Sequence, residues 1–356
     1  MRRGISLLLL LLCTWPGWAD VNGTTDRIVL ECEVIGPRQV KASWRVRTTQ
    51  PTQVRILRTP APIDCKNLWQ WRYPVLELPP PPGTEGVYVD GTLAEGTTYY
   101  YWVQAELDGV MHYSKRAKVT LPNHRLPRLS RPSFLIDKLN YYLEVRDGSA
   151  AVKRYPVSFG RDPLTRKLHQ DNSTTPEGTY QICGLQDPAT YYRAFDLDYP
   201  NAFDKIRYRF AKKAGLLPRR DPEIGGAIQI HGDIKDRVEV FSNWTEGCIA
   251  MRNDDLDELF ADPSICEGVY VFIVGENLTR EDLASILKPW SREDMLFVER
   301  KLQWLGFPPG EVDGELDEAT MEALGWFQLR NRLPLTCELD TRTVKLLWTD
   351  PPTGGR

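Results

Sequence analysis

The spacing of apolar residues changes its period once along this chain, and that change restricts the folds the chain can adopt. From Asp26 to residue 275, apolar residues alternate with polar ones in short runs that end at Gly, Pro or Asp-Gly turns, which is typical of β-strands. From Ser291 onward they recur at helical spacing, as at Val298 and Leu302. The sequence therefore predicts a multidomain protein, mostly β in its first three quarters and helical at its end.

The first 19 residues (1–19) have the pattern of a secretory signal peptide. Arg2 and Arg3 precede an apolar run from Ile5 to Cys13, and Gly17 and Ala19 offer small residues for cleavage. The run is too short to span a bilayer, so we expect export across the inner membrane to the periplasm or cell wall, with no stable membrane span. Removal of this segment changes the formal net charge from −3 to −5. A nucleic-acid-binding protein would instead carry a basic stripe, so no nucleic acid is expected as a partner.

Residues 26–121 predict a β-sandwich. Tyr99 follows a Gly-Thr turn and precedes alternating apolar residues, and Asp108-Gly109 predicts a hairpin. The segment around Tyr99 resembles the E–F corner of fibronectin type III domains, which implies that Tyr99 is the tyrosine-corner residue. We expect a spacer or binding module here, followed by a Pro- and Arg-rich linker at residues 122–132.

The stretch AIQIHGDIKDRVEVFSNWTEGCIAMRN, residues 227–253, holds the candidate active site. Alternation predicts a strand that displays His231 at its exit and ends at Gly232. A thiol needs a neighbouring imidazole to reach its reactive thiolate form, so His231 and Cys248 predict a nucleophile pair. A buried thiol and a core histidine without catalytic roles are the alternative.

Two elements of this stretch, Ile-His-Gly at 230–232 and Thr-Glu-Gly-Cys-Ile at 245–249, resemble the signature of the YkuD-type L,D-transpeptidase catalytic domain. The resemblance implies that His231 is the general base and Cys248 the acylated nucleophile, with backbone amides around Gly247 and Cys248 forming the oxyanion hole. Asn253 is also expected to cap a short helix. Residues predicted to contact the substrate or order its loop are Gly232, Thr245, Arg252 and Asn253.

Two positions depart from the family motif. The residue before the motif glycine is often His in the family and is Glu246 here, and the Arg commonly found two places after the Cys is Ala250. The first change should spare the chemistry, because the base is the earlier His231. The second leaves open which cation holds the substrate carboxylate, and Arg252 is the candidate.

The resemblance extends over residues 133–275, the predicted catalytic domain. Val-Ser-Phe-Gly at 157–160 and Thr-Pro-Glu-Gly-Thr-Tyr at 175–180 match two further family elements. They imply a mostly β, sandwich-like fold with the Cys/His cleft at one edge. The mixed basic and aromatic helical pattern between Ala202 and Lys213 indicates a solvated face.

Other hydrolytic chemistries fit the sequence less well. Papain-like and NlpC-type peptidases place Cys before His along the chain, whereas here His231 precedes Cys248. The four His residues are too far apart for a zinc site, and a Gly-x-Ser-x-Gly elbow is absent. We therefore expect no metal and no cofactor.

Residues 291–350 resemble the small three-helix peptidoglycan-binding domain, through Leu-Gly-Phe, Val-Asp-Gly, Ala-Thr and Phe-Gln elements. Ser291 and Asp340 are placed to cap helices. Cys337 stands where the family usually has the Gly of a Thr-Gly turn, which implies a strained turn or an exposed thiol.

Secretion permits disulfides. Cys248 must stay free as a nucleophile, so Cys32 with Cys65 and Cys183 with Cys266 are the candidate pairs, which leaves Cys337 unpaired. Sequence alone does not establish these pairings.

The resemblance implies a cell-wall enzyme that forms an acyl-enzyme on peptidoglycan stem peptides and passes the acyl group to an amine. Peptidoglycan, both stem peptides and glycan, is the expected partner, and a wall-attached protein is one acceptor to consider. Two alternatives stay open: an L,D-carboxypeptidase or amidase that hands the acyl group to water, and a non-catalytic binding scaffold. The presence of both His231 and Cys248 argues against the scaffold.

Overall fold

A computed structural model describes residues 26–48, 53–60, 75–78, 83–233 and 241–349. The predicted signal peptide and Cys65 lie outside these residues, so the pairing of Cys32 with Cys65 stays a prediction. Among the described residues, none of the helices has the length and apolar character needed to cross a membrane.

The amino-terminal region forms two antiparallel sheets. Its strands are β1 (Ile28–Gly36), β2 (Gln39–Val46), β3 (Val54–Thr59), β4 (Leu76–Leu78), β5 (Glu85–Asp90), β6 (Thr98–Leu107), β7 (Val110–Tyr113) and β8 (Ala117–Thr120). One sheet has the order β1-β2-β5, and the other has the order β4-β3-β6-β7 with β8 also paired to β6. The buried hydroxyl of Tyr99 accepts a hydrogen bond from the backbone N–H of Ala94 at 3.0 Å, which is the contact a tyrosine corner makes. Asp108 and Gly109 turn between β6 and β7 with φ angles of 54° and 77°, so the predicted hairpin is confirmed.

The central region is built on one large sheet. Its elements are β9 (Pro132–Asp137), β10 (Tyr142–Asp147), β11 (Ala150–Pro156), β12 (Phe159–Gly160), β13 (Gly178–Ala189), β14 (Tyr192–Leu197), α1 (Ala202–Lys213), β15 (Gln229–His231), β16 (Asn243–Thr245), β17 (Ile249–Ala250), α2 (Asn253–Phe260) and β18 (Tyr270–Val274). The eight-stranded sheet has the order β11-β10-β9-β18-β13-β14-β15-β17, and β12 pairs separately with β16. The strands that flank the candidate nucleophile, β15 and β17, are therefore the last two at one edge of the sheet.

The carboxy-terminal region is helical, as the change of period predicted. Its helices are α3 (Arg280–Ile286), α4 (Arg292–Trp304), α5 (Glu318–Arg330) and α6 (Thr341–Trp348). Ser291 and Asp340 cap α4 and α6 through their side chains, as expected. Helix α3 has no counterpart among the predicted elements, although Thr279 and Asp282 form a capping box at its start and a Thr-x-x-Asp pattern is its local signal.

Helix α1 joins the central and carboxy-terminal regions. The ring of Phe210 meets the ring of Trp326 on α5 edge-on, with centroids 5.0 Å apart. Arg207 donates to the carbonyl oxygen of Thr336 at 2.8 Å and pairs with Asp204 at 2.6 Å. Arg207 and Phe210 are buried, so the expectation of a solvated face for this helix is wrong on its inner side. A buried arginine is tolerated there because Asp204 and the carbonyl satisfy it.

The cysteines depart from two expectations. Cys183 and Cys266 are both free thiols, so the expected bridge between them is absent. Cys337 is fully buried, which excludes an exposed thiol, but its φ angle is 56°. That left-handed conformation favours glycine, so the turn is strained, as the departure from the family pattern implied.

Candidate active site

Strand pairing brings the two candidate catalytic residues to the same edge of the sheet. His231 is the last residue of β15, and Cys248 immediately precedes β17. The two strands are parallel, with Ile230 opposite Ile249 and His231 opposite Ala250. No hydrogen bond joins His231 and Cys248 among the described contacts, which is common in enzymes without substrate.

The tautomer of His231 follows from its neighbour. Nδ1 lies 2.7 Å from the carbonyl oxygen of Gly232, and a carbonyl only accepts hydrogen bonds, so Nδ1 carries the proton. The lone pair of Nε2 is then available to take a proton from another group. Burial lowers the pKa of His231 below its ordinary 6.5, so the imidazole is neutral at pH 7. These are the properties of a general base.

Two aromatic rings flank the imidazole. The ring of Tyr191 lies 5.0 Å from that of His231, and the ring of Trp244 lies 6.0 Å away in an edge-on arrangement. Both are substantially exposed while His231 is only 3% exposed. The two rings thus cover part of the imidazole, and sequence reasoning gave no signal for either.

Cys248 is held as a thiol in this state. Its Sγ donates to the carbonyl oxygen of Ala227 at 3.5 Å. Burial raises the pKa of Cys248 above its ordinary value, although the N–H of Gln229 and the ammonium of Lys167 act in the opposite direction. A thiol with a raised pKa needs a base to become a nucleophile, and His231, on the paired strand β15, is the candidate.

The turn before Cys248 leaves one backbone donor unused. The N–H of Gly247 donates to Thr245 Oγ1 at 3.2 Å, and Thr245 Oγ1 donates to the carbonyl oxygen of Cys248 at 2.7 Å. Within the described residues the N–H of Cys248 has no acceptor. Of the two amides expected in an oxyanion hole, the Cys248 N–H is therefore the free one, while Thr245 closes the turn.

Gly247 has a steric role in this turn. Its φ angle is 134°, and a Cβ atom at this position would lie 2.7 Å from the carbonyl oxygen of Thr174. No L-residue fits that conformation and that space together. The glycine therefore allows segment 245–248, which carries the candidate nucleophile, to approach the loop that carries Thr174.

Asn253 holds the backbone that follows His231. Its Oδ1 accepts from the N–H of Asp233 and its Nδ2 donates to the carbonyl of Asp233, both at 2.9 Å. The capping expectation is wrong: Arg252 is the N-cap of α2, without a side-chain bond, and Asn253 is the first helical residue. A Cβ on Gly232 would lie 2.3 Å from Asn253 Oδ1, so the amide fits only against a glycine.

The departures from the family motif have a structural account. Ala250 is fully buried, and its backbone pairs with that of Ser158 through two hydrogen bonds of 2.8 and 3.0 Å, so this position presents no charge to the site. Glu246 is exposed and lies 3.7 Å from Arg161. The guanidinium of Arg252 faces Asp255 at 4.0 Å, and no described contact joins it to Cys248.

Lys167 is a component of this site that sequence reasoning missed. It is only 5% exposed, and its Nζ would lie 3.4 Å from a Cβ atom on Gly247. Burial lowers the pKa of Lys167 to about 8, while the negative charge of Cys248 in its thiolate form acts to raise it. Lys167 is distant from Cys248 in sequence and lies in a loop between strands, so no local pattern points to it. Among the described residues, no group of three or more His, Cys, Asp or Glu could hold a metal ion.

Two regions of the chain match known families. Residues 131–264 match the YkuD family, described as "L,D-transpeptidase catalytic domain", and residues 291–347 match a family described as "Putative peptidoglycan binding domain". These matches agree with the order of a mostly β region and a helical region in the structure. The central region therefore has the family pattern of an L,D-transpeptidase catalytic domain, and the carboxy-terminal helices have that of a peptidoglycan-binding domain.

One relative and one of two similar solved structures are described as L,D-transpeptidases. The chain is 24% identical over 167 residues to "Putative L,D-transpeptidase YafK" of Escherichia coli K12, an alignment that covers 43% of this chain and 58% of that protein. The chain thus spans less than two thirds of the length of this relative. Among solved structures, Bdellovibrio bacteriovorus Bd1075 is 25% identical, with 50% of this chain and 63% of that chain covered and a TM-score of 0.31. The L,D-transpeptidase from Xylanimonas cellulosilytica is 15% identical, with 43% and 65% covered and a TM-score of 0.29.

Proposed function

We propose that this protein is a cysteine-dependent L,D-transpeptidase that acts on the stem peptides of peptidoglycan. The observation that carries the proposal is the fixed tautomer of His231, whose Nε2 is left as a proton acceptor at the strand edge that also presents Cys248. The family match of residues 131–264 supplies the reaction class. Export to the periplasm or cell wall, as the first 19 residues predict, would bring the enzyme to this substrate.

The reaction has two halves. In the first, His231 Nε2 takes the proton of Cys248, and Sγ attacks the amide carbonyl that follows the L-centre of the diamino acid in a tetrapeptide stem. The oxyanion accepts a hydrogen bond from the N–H of Cys248, a contribution of about 3 kcal/mol for one such donor. The C–N bond then breaks, His231 gives its proton to the leaving D-Ala nitrogen, and a thioester remains.

In the second half an amine takes the acyl group. The amine attacks the thioester carbon, His231 accepts its proton, and the C–S bond breaks. The proton returns to the thiolate of Cys248, so the enzyme ends as it began. A stem peptide on a neighbouring strand or a wall-attached protein would supply the amine.

The carboxy-terminal helices are the proposed anchor on peptidoglycan. One face of α4 carries a groove of about 480 Å³ lined by residues that include Phe297 and Trp304, which are 42% and 58% exposed. Exposed aromatic rings offer flat apolar faces to ligands. An enzyme held on its polymer meets neighbouring stems at a high effective concentration, which favours transfer over hydrolysis.

The deciding experiment follows the fate of the acyl group. Purified protein is incubated with disaccharide-tetrapeptide and an excess of a D-amino acid, and the products are identified by mass. We expect exchange of the terminal D-Ala or cross-linked dimers, both absent with Cys248→Ala. Tripeptide that accumulates alone would identify an L,D-carboxypeptidase, and no product at all would contradict an enzyme of this class.

A further inference from the structure

Among the residues that the structure describes, Lys167 has no hydrogen-bond or ion-pair partner. Its side chain lies in the loop between β12 and β13 and is only 5% exposed. In the part of the chain that the structure describes, the ammonium makes no hydrogen bond and no ion pair, and its recorded contact is with the ring of Tyr199, 5.9 Å from Nζ. A buried charge is normally paired, because the loss of hydration otherwise opposes folding. An ammonium on a largely buried side chain without an acidic partner is suited to bind an anionic ligand.

The ammonium points towards the candidate nucleophile. Its Nζ is 3.4 Å from the position that a Cβ atom on Gly247 would occupy, one residue before Cys248. The charged or titratable groups that act on Lys167 are Cys248, Lys138, Asp171 and Asp204. Lys138 is already paired with Glu177 at 2.9 Å, and Asp204 with Arg207 at 2.6 Å. Asp171 is paired with Arg220 at 2.9 Å, so neither carboxylate is committed to Lys167, and Cys248 Sγ donates to the carbonyl oxygen of Ala227.

The other described cations near Cys248 already have acidic partners. Arg161 lies beside Glu246, and Arg252 lies beside Asp255. Position 250 supplies no cation because its residue is alanine. Among the described residues around Cys248, Lys167 is thus the cation left for an anionic substrate.

We propose that Lys167 is the specificity residue that binds the free carboxylate of the leaving residue of the donor peptide. The inference rests on the proposed function, because a donor cleaved before its terminal residue carries a carboxylate close to the attacked carbonyl. An ammonium on the Gly247 side of Cys248 lies where that carboxylate comes when Sγ meets the carbonyl carbon. The contact is a charge-assisted hydrogen bond made by a side chain that is only 5% exposed.

The first experiment compares two donors that differ only in charge. Disaccharide-tetrapeptide and its carboxy-terminal amide are turned over by the wild type, Lys167→Met and Lys167→Arg. We expect the wild type to prefer the free carboxylate by roughly 10- to 100-fold in kcat/KM, with the difference mainly in KM. Lys167→Met should lose that preference, because its kcat/KM should fall much further on the free carboxylate than on the amide donor, and Lys167→Arg should retain part of it.

Two results of this experiment would overturn the proposal. An unchanged preference in Lys167→Met would show that the ammonium does not bind the carboxylate. An equal loss of kcat/KM on both donors would show that Lys167 acts on the oxyanion or the thiol instead. Loss of a buried unpaired charge should not unfold the protein. Lys205→Met, which removes an exposed lysine on α1, is the matched control.

The second experiment needs no peptide donor, so it separates failure of this inference from failure of the proposed function. Alkylation of Cys248 by iodoacetate and by iodoacetamide is followed by peptide mass mapping, which distinguishes it from the exposed Cys183 and Cys266. We expect Lys167→Met to lower the iodoacetate-to-iodoacetamide rate ratio at least fivefold, and Lys205→Met to leave it unchanged. If Lys167→Met lowers the ratio but the wild type cleaves no donor, the anion-binding role of Lys167 stands and the proposed transpeptidase function is rejected. A ratio that Lys167→Met does not change would reject the anion site.

Discussion

The Nδ1 atom of His231 lies 2.7 Å from the carbonyl oxygen of Gly232, and this single bond determines which nitrogen of the imidazole can act as a base. The carbonyl belongs to the next residue in the chain, so the tautomer is fixed locally. No carboxylate is needed to orient the ring. Catalysis by this pair should therefore depend on the backbone conformation after His231.

The pH dependence of Cys248 acylation should report the lowered pKa of His231. Burial lowers that pKa below 6.5, so the base stays neutral as the pH falls through 6.5, and the acylation rate should decline only below that value. In His231→Ala we expect a rate roughly 10²- to 10⁴-fold lower. The acylation rate of that variant should rise with pH, because only the fraction of Cys248 that is already a thiolate can react. Stopped-flow acylation by a carbapenem between pH 5 and 9 measures both profiles, and equal rates in variant and wild type would reject His231 as the base.

Carbapenem should acylate Cys248 and no other cysteine. The family chemistry that residues 131–264 resemble accepts that ring, and the Cys337 thiol is fully buried with its pKa raised by burial to about 11. Intact-mass spectrometry should show one adduct, and Cys248→Ala should show none. An adduct mapped to Cys337 in the folded protein would contradict the assignment of the nucleophile.

Asn253→Ala should slow acylation without loosening the sheet. The amide holds both backbone groups of Asp233 at 2.9 Å, two residues after the base, and small misplacements of catalytic groups are costly. We expect a rate reduction of about 10- to 100-fold with little change in the urea midpoint. Asn253→Asp keeps one of the two hydrogen bonds to Asp233, so its acylation rate should lie between those of Asn253→Ala and the wild type. If both variants react like the wild type, the loop does not depend on this amide.

Cys337→Gly should be more stable than Cys337→Ala, although glycine is usually the more destabilising of these two residues. Both variants lose the contact of Sγ with the interface of α1 and α5, but only glycine adopts a φ angle of 56° without strain. We expect a difference in the free energy of unfolding of about 1 kcal/mol, measured by urea denaturation. A more stable alanine variant would show that the turn is not strained.

Trp304→Ala should weaken binding of the intact protein to purified sacculi by roughly fivefold to tenfold. The ring is 58% exposed on the groove of α4, so its removal leaves the helical core intact. Leu329→Ala, on an exposed position of α5, is the matched control. Truncation of the whole region is a poorer test because it would uncover Phe210 and Arg207. Unchanged sacculus binding by Trp304→Ala would show that another surface anchors the protein.

The sequence determined the features that depend on short stretches of chain. Alternation and helical spacing predicted the change from β to helical structure, and Ser291 and Asp340 cap their helices because capping is a contact between residues three apart. The positions of His231 at the end of a strand and of Gly247 before Cys248 could be predicted because each depends on a short stretch of sequence. The family resemblance added their chemical roles, which remain predictions for this chain.

Only the tertiary structure decided the features that depend on distant residues. Lys167 reaches the candidate nucleophile across a loop that has no local periodicity, and Asn253 clamps Asp233 instead of capping its own helix. Arg207 and Phe210 are buried because a second region of the chain covers them. Burial and pairing of charge are set by which segments pack together, and a pattern of neighbouring residues carries no information about that packing.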